Sequence, residues 1–247
     1  MGLLLFVFRA PLVILWIASS LLSVAVIYPF LPLAGRNFMN HNWSRALMRV
    51  CGVQVHVHGE PRMRGAALWV ANHVSWIDIF ILSSVRCVAF IAKSDIRQWP
   101  VIGWLVAKAG TVFLDRRQRH AIKKVGTQME RRFKQGEVLG LFAEGTTSTG
   151  FDVLPFHSSL FDTAIHSGVH VQPVALRFYH KGQRSDRAAF VGEQNLVQNL
   201  CILLSSTEIK VEVDFLPAIP PGRCKEMGRA GVAALAHDLI GKAVRVG

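Results

Sequence analysis

The sequence predicts an α/β fold, in which one mixed sheet of roughly seven strands is flanked by helices and preceded by an apolar N-terminal helical segment. Past residue 50, short apolar runs alternate with helical stretches, and no repeat, low-complexity tract or Gly/Ser linker interrupts them. Hydrophobic residues make up 51% of the chain and charged residues 18%. This composition is too apolar for an ordinary soluble enzyme and too often interrupted for a polytopic membrane protein. We therefore expect an anchor with a linking helix over residues 1–50 and one α/β domain over residues 51–247.

The N-terminal segment carries no charge from Ala10 to Ala34, which is long enough to cross a bilayer. One tilted span and a hairpin that enters a single leaflet both fit, because prolines disturb the far end of the run. Arg9 precedes the run, and three cations follow it: Arg36, Arg45 and Arg49. The positive-inside bias then predicts that the remaining chain lies on the cytoplasmic face of the cell membrane.

The strands and helices of the domain follow from periodicity and length. The expected strands are Val53–His58, Ala67–Ala71, Cys87–Ala92, Thr111–Leu114, Val138–Phe142, Val169–Phe178 and Ile209–Phe215. The expected helices are Asn42–Val50, Trp76–Ser84, Ile102–Lys108, Arg119–Lys134, Ser159–Ser167 and Lys225–Val244.

The net charge of +12 favours a polyanionic partner such as anionic lipid or a phosphate-bearing substrate. We expect no nucleic acid, because the chain has no zinc-finger spacing, no RNA-binding aromatic signature and no basic region followed by heptads. The four cysteines are far apart and form no C-x-x-C, so reduced thiols are expected. We expect no metal site, because no ligand set is complete, and no cofactor.

The most informative stretch runs from Asn72 to Asp78, directly after the buried run Ala67–Ala71. Ser75 and Asp78 have the spacing of a capping box, which places Ser75 at a helix N-cap and His73 in the loop before it. If that loop folds back over the helix start, the carboxylate of Asp78 reaches the imidazole and supports it as a general base. Spacing alone leaves a surface or capping role for His73 open. A nucleophilic Ser75 is disfavoured because no G-x-S-x-G elbow exists.

Four blocks of the chain resemble, in order, those of the glycerolipid acyltransferases, the family that contains the 1-acylglycerol-3-phosphate acyltransferases. The blocks are N-H-x4-D at Asn72–Asp78, G-T-V-F-L-D-R at Gly110–Arg116, F-A-E-G-T at Phe142–Thr146 and V-Q-P-V-A at Val171–Ala175. The resemblance covers about residues 54–178, and the apolar N-terminus is similar to the membrane anchor of this family.

The resemblance also implies roles for individual residues. His73 is expected to be the base and Asp78 its partner, while Arg116 binds an acceptor phosphate and Lys93 adds a second cationic contact. The acceptor site is expected to be shaped by a further block of three residues: Glu144, Gly145 and Thr146. A buried Glu144 without a partner would be costly, which favours a site over a core position.

The reaction implied is transfer of a fatty acyl group from acyl-CoA or acyl carrier protein to 1-acylglycerol-3-phosphate, giving phosphatidic acid. Thr147 stands where many members carry arginine after E-G-T, which resembles acyltransferases of lyso-ornithine lipid. That lysolipid is therefore the alternative acceptor. A non-catalytic lipid-binding membrane adaptor is the alternative of another class. In each case the expected partners are a lysolipid and a membrane with anionic lipids.

Overall fold

The computed structural model describes residues 2–99, 101–115 and 121–246, and its centre is an eight-stranded mixed sheet. The expected mixed sheet flanked by helices is confirmed. The strands are β1 Val53–Gly59, β2 Ala67–Ala71, β3 Val88–Lys93, β4 Val112–Leu114, β5 Val138–Phe142, β6 His170–His180, β7 Gln183–Arg184 and β8 Ile209–Phe215. The short β7 forms a hairpin with the end of β6, and the sequence did not predict it.

Eight α-helices surround the sheet in the described part of the chain. They are α1 Gly2–Val26, α2 Leu33–Cys51, α3 Asp78–Val85, α4 Ile102–Lys108, α5 Ala121–Lys134, α6 Phe161–His166, α7 Leu196–Ser205 and α8 Pro221–Arg245. The sequence prediction omitted α7. The start of the expected helix Arg119–Lys134 lies outside the described residues.

The strand order is β1-β8-β6-β2-β5-β3-β4. Strands β6, β2, β5, β3 and β4 run parallel to one another, whereas β8 is antiparallel to β6 and parallel to β1. The carboxyl ends of β2 and β5 are level, since Ala71 pairs with Phe142. Loops that leave neighbouring parallel strands therefore meet at one edge of the sheet, where such folds bind ligands.

Two apolar layers pack on the two faces of the sheet, and β2 contributes to both because its side chains alternate. Trp69 faces the layer formed with α2, α3 and α7, whereas Leu68 and Val70 face the layer formed with α5, α6 and α8. All five residues of β2 are buried. A continuous apolar run is what a central parallel strand covered on both faces requires.

The N-terminal helix α1 packs along the domain, against α2, α4 and α7. The Arg9 guanidinium donates to the carbonyls of Leu204, at 3.2 Å, and Ser206, at 2.7 Å, at the end of α7. It also lies directly over Gly52, where a Cβ would be 2.0 Å from Nη2. Within the described residues α1 is the one helix long and apolar enough to cross a membrane, and its most apolar window is 6% buried.

Candidate active site

The loop that carries His73 leaves the sheet at the carboxyl end of β2, and Asn72 determines its direction. The side chain of Asn72 is fully buried and donates to the Leu176 carbonyl at 3.0 Å, while its Oδ1 accepts from the Leu176 amide at 2.7 Å. The amide group thus continues the pairing of β2 with β6 for one more step. This satisfies two backbone groups where the strand turns away.

His73 and Asp78 are in direct contact. His73 Nδ1 lies 2.8 Å from Asp78 Oδ2, and the same oxygen accepts from the amides of Val74 at 2.7 Å and Ser75 at 2.9 Å. Since Oδ2 is an acceptor for all three groups, the ring proton is on Nδ1 and the opposite nitrogen of His73 has a free lone pair. The expected fold-back of this loop is therefore present.

The expected N-cap at Ser75 is wrong. Helix α3 begins at Asp78, its N-cap residue is Ile77, and no side chain caps it. Only the reverse half of the capping box forms, because Asp78 accepts from the Ser75 amide while the Ser75 hydroxyl makes no hydrogen bond within the described residues. The Asp78 carboxylate binds three groups of the preceding loop, so Asp78 and not Ser75 determines the conformation of this loop.

Two phenylalanine rings support the imidazole from below. The His73 ring stacks on Phe142 with centroids 3.9 Å apart and planes within 9°, and Phe142 stacks on Phe90 at 5.4 Å. The strand residue next to Phe90 is Gly140, where a Cβ would lie 2.4 Å from the Phe90 ring. Glycine at this position therefore leaves the space that the column of three rings occupies.

Glu144 lies beneath the same loop, with 4% of its surface exposed. One carboxylate oxygen accepts from the His73 amide at 2.7 Å and the other accepts from the Leu154 amide at 3.0 Å. Burial raises the pKa of Glu144, and the two backbone hydrogen bonds lower it by less. The partners of this buried carboxylate are thus backbone amides, and it joins the His73 loop to the segment around Leu154.

The turn after Glu144 closes the site from the other side. Gly145 has φ 73°, a left-handed conformation that favours glycine, and Thr146 is exposed. The Ser148 amide donates to the His73 carbonyl at 2.7 Å, and the Thr147 hydroxyl donates to the Phe190 carbonyl. The turn is therefore tied to the His73 loop through its backbone.

The two cations expected to bind the acceptor are placed differently. Lys93 is the last residue of β3, is exposed, and pairs in register with Leu114 of β4. It therefore lies at the same carboxyl edge of the sheet as the His73 loop. Arg116 lies outside the described residues.

Two residues at the site were missed by sequence reasoning. The Phe190 amide donates to the Val74 carbonyl at 2.8 Å, and Asn199, in the first turn of α7, accepts from Trp76 Nε1 at 2.8 Å. A signal for α7 was present in the sequence, because Asn195 and Gln198 have capping-box spacing and form that box. Asn199 is then a buried amide within an apolar helix, a position that requires hydrogen-bond partners.

This arrangement can perform acid–base chemistry on a bound hydroxyl. The side chain of His73 is 19% exposed while that of Asp78 is fully buried, so the ring faces solvent on one side and the carboxylate on the other. A neutral imidazole held in one tautomer accepts a proton at its free nitrogen, and the carboxylate stabilises the imidazolium that forms. A covalent intermediate on the protein is not required for transfer between an activated acyl group and an alcohol.

The comparisons with known proteins agree with this chemistry. The Acyltransferase family matches residues 54–177. The lyso-ornithine lipid O-acyltransferase of Rhizobium meliloti (strain 1021) is 35% identical over 84% of this chain and 76% of its own length. The 1-acyl-sn-glycerol-3-phosphate acyltransferase of Neisseria gonorrhoeae is 38% identical over 63% of this chain and 61% of its own.

A solved structure has the same fold. The crystal structure of the 1-acyl-sn-glycerophosphate (LPA) acyltransferase PlsC from Thermotoga maritima superposes with a TM-score of 0.70 at 22% identity, covering 98% of this chain and 94% of that one. The family match spans half of the chain, and it contains the His73 and Glu144 loops. The protein belongs to the glycerolipid acyltransferase family.

Proposed function

We propose that this enzyme moves a fatty acyl group from a thioester donor to a free hydroxyl of a lysolipid, with His73 as general base and Asp78 as the group that orients it. One observation carries the proposal: the 2.8 Å contact between His73 Nδ1 and Asp78 Oδ2, at the carboxyl edge of the sheet. That geometry leaves the other ring nitrogen available to a hydroxyl placed beside the exposed side of the imidazole.

The reaction then proceeds by direct transfer. His73 takes the proton of the acceptor hydroxyl as its oxygen forms a bond to the thioester carbonyl carbon. When the carbon–sulfur bond breaks, the leaving thiolate takes that proton from the imidazolium. The products are an ester and a free thiol, and no atom changes its oxidation state, so the proposed step needs no redox cofactor. The thiol belongs to coenzyme A or to acyl carrier protein.

Lyso-ornithine lipid is the acceptor we favour. Two relatives with that printed name match 84% and 80% of this chain, a longer stretch than the 63% matched by the Neisseria gonorrhoeae 1-acyl-sn-glycerol-3-phosphate acyltransferase. Thr147, whose hydroxyl is bound to the Phe190 carbonyl, supplies no charge for a phosphate. A zwitterionic headgroup needs fewer cations than a phosphate monoester.

1-Acylglycerol-3-phosphate is the second candidate, and one feature favours it. Lys93 is an exposed cation at the carboxyl edge of the sheet, where its ammonium is available to a phosphate, and in the sequence Arg116 comes two residues after the end of β4. The product with this acceptor would be phosphatidic acid.

The apolar helix α1 would hold the site at the lipid surface. Arg9, before the uncharged run, is bound to the end of α7, and α2, after the run, packs on α3. Both ends of the run therefore meet the same domain, which favours a helix lying in one leaflet over a helix that crosses the bilayer. The net charge of +12 would favour anionic headgroups on the cytoplasmic face.

An acylation assay in mixed micelles tests the chemistry. Wild-type enzyme, His73→Ala and the control His166→Ala, whose histidine is exposed on α6, are given lyso-ornithine lipid and 1-acylglycerol-3-phosphate with acyl-CoA or acylated carrier protein. We expect His73→Ala to lose about 10²- to 10⁴-fold in kcat and His166→Ala to match wild type. Equal turnover by all three proteins would show that His73 is not the general base. If the wild type shows no turnover with either lipid, the result would favour a lipid-binding adaptor.

The ratio of kcat/KM for the two lipids decides the acceptor. A value higher for 1-acylglycerol-3-phosphate would overturn our preference while leaving the mechanism intact. The assay separates the two questions because both acceptors present a hydroxyl to the same imidazole.

A further inference from the structure

The indole of Trp76 lies inside the His73–Asp78 loop and points away from the imidazole towards α7. Its Nε1 donates to Asn199 Oδ1 at 2.8 Å. Asn199 is 1% exposed, and its Nδ2 donates to the carbonyl of Ala189 at 2.8 Å and to Gln194 Oε1 at 3.0 Å. The amide thus makes three of the hydrogen bonds available to it, one to the His73 loop and two to the stretch between β7 and α7.

The segment that Asn199 holds is itself bound to the His73 loop. Ala189 precedes Phe190, whose amide donates to the Val74 carbonyl at 2.8 Å and whose carbonyl accepts from Thr147. Asn199 therefore reaches the loop twice: directly through Trp76, and through the backbone at residues 189–190. The two contacts are made by Val74 and Trp76, on either side of Ser75. The buried amide of Asn199 therefore holds the loop at two neighbouring points.

Aromatic packing supports the indole on its other side. The Trp76 ring meets Phe80 edge to face at 6.0 Å, and Phe80 meets Trp16 of α1 edge to face at 5.8 Å. Helix α7 in turn receives Arg9 of α1 at its carboxyl end. Trp76 is thus the residue of the loop that is hydrogen-bonded to α7 and linked through Phe80 to α1.

From this geometry we infer that Trp76 and Asn199 are positioning residues, and that their hydrogen bond holds the His73 loop in the arrangement that places the imidazole against its substrate. Among the described residues, neither side chain is hydrogen-bonded to the imidazole or in ring contact with it, so the proposed effect acts through the loop backbone. The inference rests on the proposed acyl transfer for its kinetic consequence, but the ordering of the loop can be measured independently of activity.

A double-mutant cycle tests the inference. Trp76→Phe keeps an aromatic ring against Phe80 and removes the donor, Asn199→Leu removes the amide, and the double variant removes both partners. The control is Asn195→Ala, which breaks the capping box of the same helix without touching the loop. We expect each single variant to lose roughly 10- to 100-fold in kcat with KM for both substrates changed by less than about twofold.

The double variant is expected to be no slower than Asn199→Leu, because the two changes remove one shared contact. Asn195→Ala is expected to lower the melting temperature and to leave kcat unchanged. Hydrogen exchange supplies the second readout: the peptide covering residues 72–78 should exchange faster in Trp76→Phe and in Asn199→Leu, but not in Asn195→Ala.

Three results would overturn the inference: wild-type kcat and exchange in Trp76→Phe, fully additive losses in the double variant, or an equal loss of kcat in Asn195→Ala. If wild-type enzyme shows no acylation at all, the proposed function fails, and the exchange data alone decide whether the bond orders the loop.

Discussion

Replacing Glu144 by glutamine changes the size of the side chain very little and removes one of its two acceptors. In the wild type, the two carboxylate oxygens accept from the amides of His73 and Leu154 at 2.7 and 3.0 Å. Glutamine offers one oxygen and one NH₂ group, so its buried NH₂ group then faces one of these amides, a donor against a donor. A buried donor left without an acceptor costs about 1–3 kcal/mol. For a chain of this length that corresponds to a fall in melting temperature of about 2–4 °C per kcal/mol.

The pH dependence of stability gives an independent test of the same carboxylate. Because burial raises the pKa of Glu144 above the ordinary value of a glutamate, the folded protein keeps a proton that the unfolded chain releases. The free energy of unfolding therefore falls as pH rises from the ordinary glutamate range to the raised pKa, and it changes no further through this group above that pKa. In Glu144→Gln this contribution is absent, so the difference between the two stability curves should show it.

The assay is thermal or urea unfolding in detergent from pH 4 to pH 8, together with kcat at pH 7. The control is Glu130→Gln, which removes an exposed carboxylate from α5 and should change stability by less than about 0.5 kcal/mol. If Glu144→Gln has the melting temperature of the wild type and a parallel pH curve, the carboxylate does not join the two loops as described. A raised KM with full stability would instead indicate direct contact with the acceptor.

Other predictions concern the same loop and its supports. Asp78→Asn should keep the backbone contacts through its remaining oxygen but lose the charge that stabilises the imidazolium, lowering kcat by roughly 10²- to 10⁴-fold with circular dichroism unchanged; normal kcat would contradict it. Gly140→Ala places a Cβ 2.4 Å from the Phe90 ring, so about 1–3 kcal/mol of stability should be lost in urea unfolding, and none if the ring can shift freely. Arg9→Met should expose the end of α7, seen as faster proteolysis near Leu204; an unchanged cleavage pattern would show that α1 docks without it.

The features of the site that could be predicted from the sequence are those that depend on residues close together in the chain. Ala67–Ala71 is uninterrupted and apolar, so it had to be a central strand, and His73 two residues later had to lie at the edge of the sheet. The contact between His73 and Asp78 was expected if the loop folded back over the helix start, and the resemblance of Asn72–Asp78 to the first block of the family supported it. These features are local, and periodicity describes local structure well.

What could not be predicted depends on contacts between segments far apart in the chain. The two oxygens of Glu144 are bound to backbone amides that only the folded loops bring together, while its expected role in shaping the acceptor site stays a prediction. The support of Trp76 by Asn199 joins residues 123 positions apart, and the helix that carries Asn199 was not expected at all. The Ser75 cap was wrong for a related reason, since spacing does not reveal which member of a capping box turns inward.

The contact of Arg9 with the end of α7 has a practical consequence for work with this protein. Deleting an apolar first helix is a common way to obtain a soluble variant. Here the deletion would uncover Gly52 and leave the Leu204 and Ser206 carbonyls without the guanidinium that donates to them. It would also remove Trp16 from its contact with Phe80. Through these contacts the helix stabilises the folded domain. Truncation should therefore yield an unstable product, and detergents or nanodiscs that keep the helix in place are the conditions under which turnover should be measured.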